Sequence, residues 1–184
     1  MLGVSPHIGL YRYWNKVRVS QPTPTRAGIE PMEIVPLLPF IALIERRPDG
    51  YRWRLIGTAI AEHFGRDLTG EAYGAHFLPR AFVDETIATF DAAFENGVPF
   101  FDEFIYRSSL GLPQAVARLV CPLAEDERHP PMVIHTRTHK ISGAVSPGSI
   151  LSAHSWGELR NRQPISSADQ LQHLTDAWSS EGLR

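Results

Sequence analysis

The sequence predicts an α+β domain: a five-stranded antiparallel sheet with helices on one face, an N-terminal helix and a C-terminal extension. Three observations predict it. Two strand-like runs, Phe40–Arg46 and Tyr51–Ile56, are separated by the turn signal Pro48-Asp49-Gly50, which marks a hairpin. Residues 81–96 place Val83, Ile87, Phe90 and Phe94 on one helical stripe and stop at Asn96-Gly97. Three further strand-like runs follow at 98–108, 114–123 and 132–139. The order is two strands, a helical middle, then three strands.

The elements can be justified in turn. Residues 7–18 predict a helix with Leu10, Tyr11, Trp14 and Val17 on one stripe. Pro22, Pro24, Pro31, Pro36 and Pro39 then punctuate a linker with at most one short helix. In the second strand Tyr51, Trp53 and Leu55 alternate with Arg52 and Arg54, so one face is apolar and the other cationic. Gly57 permits a tight exit into a short helix over 58–65, where Ile60 and Phe64 sit four apart. Residues 66–80 read mostly as loop. In the third strand Phe100, Phe104 and Tyr106 share one face, yet Phe101 and Ile105 make the other face apolar too. Such a sheet needs a cover on each side, one of them the N-terminal helix or a second subunit. Residues 142–165, with Ser-Gly and Pro-Gly steps, read as loose. A last helix begins at Ser167, whose spacing to Gln170 fits a capping box, with Leu171, Leu174 and Trp178 on one side. The chain thus divides into an N-terminal helix and Pro-rich linker (1–37), a central domain (38–141) and a loosely structured extension with a short helix (142–184).

Composition narrows the function classes. The 184 residues, 43% of them hydrophobic, suffice for one sizeable core. A net charge of −2 gives no overall field toward nucleic acid or an anionic membrane. Residues 1–60 carry eight Lys/Arg against four Asp/Glu, and residues 61–130 five against twelve, a polarity that suits a solvated acidic face, self-association or a basic partner. The single cysteine, Cys121, excludes an internal disulfide and suits a reducing compartment. With no signal peptide and no run of about 20 apolar residues, a cytoplasmic protein without membrane contact is expected.

No enzymatic motif emerges. There is no Gly-x-Ser-x-Gly elbow, phosphate loop or dinucleotide fingerprint. Asp84-Glu85 and Asp102-Glu103 are adjacent pairs, which diverge on a helix or strand. His135 and His139 have the spacing of helical metal ligands but lie on a strand, about 13 Å apart at roughly 3.3 Å per residue. No metal site is expected.

The block Arg54-Leu-Ile-Gly-Thr58, followed by Gly65-Arg-Asp-Leu-Thr-Gly70, joins three weaker pieces: Tyr11-Arg-Tyr-Trp14, Pro24-Thr-Arg26 with Glu30-Pro31, and Leu38-Pro39. Together they resemble a bacterial family whose members are often little more than one PAS domain, over roughly residues 8–123. The resemblance implies the PAS-like fold and a non-catalytic sensory or regulatory role. About 45 residues follow the last expected strand, too few for a kinase or cyclase, so a signal would pass through an unknown partner. Light-sensing relatives hold flavin through a cysteine in the helical middle; residues 58–77 have none, so no covalent flavin is expected. Haem would need an axial histidine such as His63 or His76, and for both a surface or satisfied histidine is the simpler reading.

Two functions remain: a small-molecule sensor, or an interaction module with a solid core. A PAS-like cavity would be walled by Trp53 and Leu55, by Phe64, Tyr73 and Phe77 from the helical middle, and by Phe90 of the long helix. Phe104, Tyr106, Arg118 and His135 are candidates from the later strands. Arg118 stands among Ala115, Val116, Ala117, Leu119 and Val120, where an unpaired buried guanidinium would be costly. It points to solvent, pairs with an internal carboxylate, or anchors an anionic ligand. The expected ligand is a small apolar molecule or carboxylate, and the expected assembly is a homodimer through the N-terminal helix and the sheet.

Overall fold

A computed structural model describes residues 5–18, 22–74, 80–107, 113–141 and 155–181. Helix α1 (Pro6–Val17) starts on a proline at its first turn, where a missing N–H costs nothing. The hairpin β1 (Ile41–Arg47) and β2 (Gly50–Ile56) turns where Pro48-Asp49-Gly50 predicts, with Gly50 at φ 123°. Helix α2 (Thr58–Phe64) ends on Gly65 in the left-handed region, and α3 spans Arg80–Asn96. Strands β3 (Phe100–Arg107), β4 (Pro113–Leu123) and β5 (Met132–Ile141) follow, then β6 (Ser155–Pro164) and α4 (Ala168–Ser180). Ser167 caps α4 by accepting from the Gln170 N–H, as the sequence predicts.

All strands join one antiparallel sheet in the order β2-β1-β5-β4-β3-β6. Two expectations need correction. The linker carries three 3₁₀ turns, Arg26–Gly28, Pro31–Glu33 and Val35–Phe40, not at most one short helix. Among the described residues the sheet has six strands, because 155–164, expected to be loose, pairs with β3 along its length. Its sequence is rich in Glu, Arg, Asn and Gln. That suits a solvated edge strand held by its neighbour's ladder, and such a strand shows little apolar alternation.

The sheet separates two apolar clusters. On the inner face α2, α3 and the 66–74 loop cover Ala42, Ile44, Tyr51, Trp53, Val116 and Val120. On the outer face α1, α4 and the 3₁₀ turns cover Ile41, Leu43, Phe101, Leu119 and Cys121. Phe100, Phe104 and Tyr106 on one face of β3 and Phe101 on the other are thereby covered, Phe101 within the cluster that holds the chain's own N-terminal helix, while Ile105 is only partly buried. Leu10 and Trp14 are fully buried there, and the Trp14 indole N–H donates to the Pro122 carbonyl at 2.8 Å. Burying Trp14 contributes about 2–3 kcal/mol.

At Gly57 the chain crosses from β2 into α2 against the main chain of the last 3₁₀ turn. A Cβ there would lie 2.3 Å from the Leu38 carbonyl oxygen and 2.5 Å from that of Pro39. Only glycine fits so close an approach.

Candidate functional site

The inner face of the sheet collects nearly all the residues singled out in the sequence. Trp53, Phe64, Phe90 and Phe104 are fully buried, with Tyr73, Tyr106 and His135 almost so. Their rings interlock. Trp53 stands edge-on to Phe64 at 5.6 Å and stacks on Tyr73 at 5.0 Å, while Phe90 stacks on His135 at 6.2 Å. Phe77 and His76 lie outside the described residues.

Leu55 does not join them. The β1–β2 register shifts between Leu43 and Ile44, so Arg54 is an extra residue opposite the pair and Leu55 turns to the other face. It is 42% exposed and helps line a groove of about 490 Å³ with Ile34, Leu38, Leu43 and Ile134. One inserted residue reverses the facing that strict alternation predicts.

Arg118 is buried, which removes the solvent-facing reading. Its Nε and Nη2 donate to the two Asp102 carboxylate oxygens at 2.9 and 2.6 Å, and its Nη1 donates to Thr86 Oγ1 at 3.0 Å. Burial alone would lower its pKa, but the Asp102 carboxylate outweighs that and the net shift is upward. All three guanidinium nitrogens therefore have partners, and the expectation that Arg118 anchors a ligand gives way to the internal pair.

Four polar residues on this face carry more information than Arg118, and each follows from alternation along its strand. Residues 135, 137 and 139 of β5 share one face, and Gln114 stands on the same side of β4. The Arg137 Nε donates to His139 Nε2 at 2.7 Å, which puts the His139 proton on Nδ1. The His139 ring stacks on His63 at 3.5 Å. The Tyr106 hydroxyl donates to Gln114 Oε1 at 2.6 Å, so the His63 Nε2–H donates to the Tyr106 oxygen at 3.0 Å. Burial and the Arg137 charge keep His63 neutral, with a pKa lowered to about 3, and lower His139 for the same reasons.

Several buried atoms on this face have no hydrogen-bond partner among the described residues: Trp53 Nε1, Gln114 Nε2, both His135 nitrogens, and Nη1 and Nη2 of Arg137. Sequence reasoning reached Trp53 and His135 but passed over Arg137. The signal available was the period-two run His135-x-Arg137-x-His139.

On the outer face Cys121 is fully buried, and burial pushes its thiol pKa well up, so it behaves as a small apolar group. Among the described residues no three or more His, Cys, Asp or Glu side chains gather as a metal site would require.

A family model described as PAS domain matches residues 3–135. The chain belongs to the PAS-domain family. The antiparallel sheet with α2 and α3 on its inner face is the PAS-like fold, carrying α1, β6 and α4 in addition. The match ends at His135, so Arg137 and His139 lie beyond it. No curated protein matches the chain at a significant level. PAS domains are in general sensory and regulatory modules. Among the described residues no helix is long and apolar enough to cross a membrane.

Proposed function

We propose that this PAS domain is a non-catalytic cytoplasmic sensor that binds a small ligand on the inner face of its sheet and signals through a partner protein. One observation carries the reading: the buried unpaired polar atoms of Trp53, Gln114, His135 and Arg137 all stand on that face. Buried polar groups are nearly always hydrogen-bonded, and each orphan costs free energy that a bound partner would recover. A solid core built only for stability gains nothing from such a cluster. Native mass spectrometry of the purified protein tests the reading. One small molecule per chain, released on denaturation, is expected; a protein that carries none and responds to no small-molecule panel would sink the sensor.

A second reading, an interaction module, is favoured by the apolar groove that holds Leu55, with Val35 and Met32 exposed close by in sequence. Since the α1 stripe is buried against its own sheet, a homodimer would use this groove rather than the stripe. Light scattering of wild type and Leu55→Ser decides it; a monomer in both removes the dimer.

A further inference from the structure

The sheet register sets four charged residues in one line across the inner face. Arg137 of β5 pairs with Arg118 of β4, Arg118 with Asp102 of β3, and Asp102 with Arg162 of β6. Three of the four have partners of opposite charge. Asp102 gives both oxygens to Arg118, and Arg162 Nη2 donates to the Glu85 carboxylate at 2.7 Å while its Nε donates to Thr89 Oγ1 at 2.9 Å. Arg137 is the exception: it is 1% exposed, its cross-strand neighbour is another cation, and among the described residues both Nη atoms lack a hydrogen-bond partner. Its guanidinium lies over the rings of Phe64 at 4.7 Å and Phe82 at 5.9 Å.

We propose that Arg137 anchors an anion site on the inner face, which takes a compact planar oxyanion, a carboxylate or nitrate, through its two Nη groups. This rests on the sensor reading above for the place of binding and adds the chemistry of the ligand.

Three features fix that chemistry. The first is charge. Asp102 and Arg118 neutralise each other and His139 accepts as a neutral ring, so among the described residues the interior keeps one positive charge without a counter-ion. An unpaired buried charge is costly, and an incoming anion removes that cost. Burial lowers the Arg137 pKa to about 10, which still leaves it charged at neutral pH. The second is shape. With Nε committed to His139, the edge of the fork left without partners among the described residues is Nη1–Nη2, which a planar oxyanion would meet with two parallel hydrogen bonds. The third is polarity. Beyond Arg137 the leftover groups include two more pure donors, Trp53 Nε1 and Gln114 Nε2, so the face favours an acceptor-rich ligand.

The test uses the full chain in thermal-shift and calorimetric titrations at constant ionic strength. The probes are sodium acetate, propionate, benzoate and nitrate, set against acetamide, propionamide, benzamide and chloride. At least one planar oxyanion is expected to raise the melting temperature by about 3 °C or more, and no amide or chloride to do so. Arg137→Gln is expected to abolish the response. If that variant does not fold, Arg137→Lys, which keeps the charge and loses the fork, is expected to weaken binding at least tenfold. Without added ligand Arg137→Met is expected to melt at or above wild type, because it removes an unpaired buried charge; a purely structural arginine would give the opposite. Equal response to a carboxylate and its amide, or oxyanion binding unchanged in Arg137→Gln and Arg137→Lys, overturns the anion site and leaves the sensor. A neutral molecule found bound to the purified protein does the same. A chain that binds no probe and carries no small molecule fails on both counts.

Discussion

The two faces of the sheet use the same residue types to opposite ends. On the outer face Trp14 donates its indole N–H to Pro122, and His7 has both ring nitrogens bonded, to Thr136 at 2.7 Å and Thr138 at 2.9 Å. On the inner face the equally buried Trp53 and His135 have no partner for those atoms among the described residues. Both pairs bury comparable ring area, so the hydrophobic contribution cannot explain the contrast. What differs is polar satisfaction. The outer face is finished as a structure, while the inner face is left incomplete, as expected where a ligand supplies the missing bonds.

The largest test of this comparison is pH. His7 and His63 are held to about pKa 3 by burial, with Arg137 also acting on His63, and His135 and His139 are lowered in the same direction. All four stay neutral when folded, but the unfolded chain takes up protons once pH falls below about 6.5. Stability is therefore complete above that value and falls as pH drops toward 3. From pH 7 to 5.5 a buried histidine loses about 1.2 kcal/mol, and the partly exposed His63 and His139 less, for about 4 kcal/mol together. Denaturant midpoints at the two values measure it. His7→Asn should remove only the outer-face share; if it removes most of the pH dependence, the inner histidines are not neutral as described.

Next in size is the buried ion pair. Asp102→Ala leaves Arg118 and Arg137 adjacent and uncompensated, at a cost of about 3 kcal/mol in urea denaturation. A loss below about 1 kcal/mol would mean that the arginines find other partners. The paired tryptophans sharpen the comparison further. Trp14→Phe removes a buried hydrogen bond to the Pro122 carbonyl, whereas Trp53→Phe removes an atom that has no bond to lose among the described residues. Trp14→Phe should be worse by about 1 kcal/mol, and equal losses would dissolve the distinction between the faces. The smallest effect belongs to Leu55→Ser, which should alter stability by about 0.5 kcal/mol because the side chain is already 42% exposed.

Much of this architecture is legible in the sequence, wherever local pattern and tertiary role agree. The β1–β2 hairpin, α1 and α3 follow from Pro48-Asp-Gly50 and from the stripes ending at Val17 and Phe94. The α4 cap follows from Ser167 and Gln170. The remainder depends on registers that no local window contains. The sixth strand rests on β3 and not on apolar residues of its own. The Arg54 bulge, visible only against Leu43 and Ile44, sends Leu55 to the outer groove. Within the candidate site the aromatic members are predictable from composition and alternation. Whether Arg118 or Arg137 is the unsatisfied arginine depends on which one lies across from Asp102, and that is a property of the paired sheet.

Gly57 bears on how an event on one face would reach the other. There the start of α2 and the Leu38-Pro39 main chain ride on each other with no side chain between them, and the Gly57 N–H donates to the Ile41 carbonyl at 2.7 Å. Helix α2 carries His63 and Phe64, the two rings set against His139 and Arg137; the abutting 3₁₀ turn carries Leu38, a wall of the outer groove. Main chain meets main chain at this junction, so a shift of α2 finds no side-chain rotamer there to absorb it, and the groove wall is the nearest element to record one.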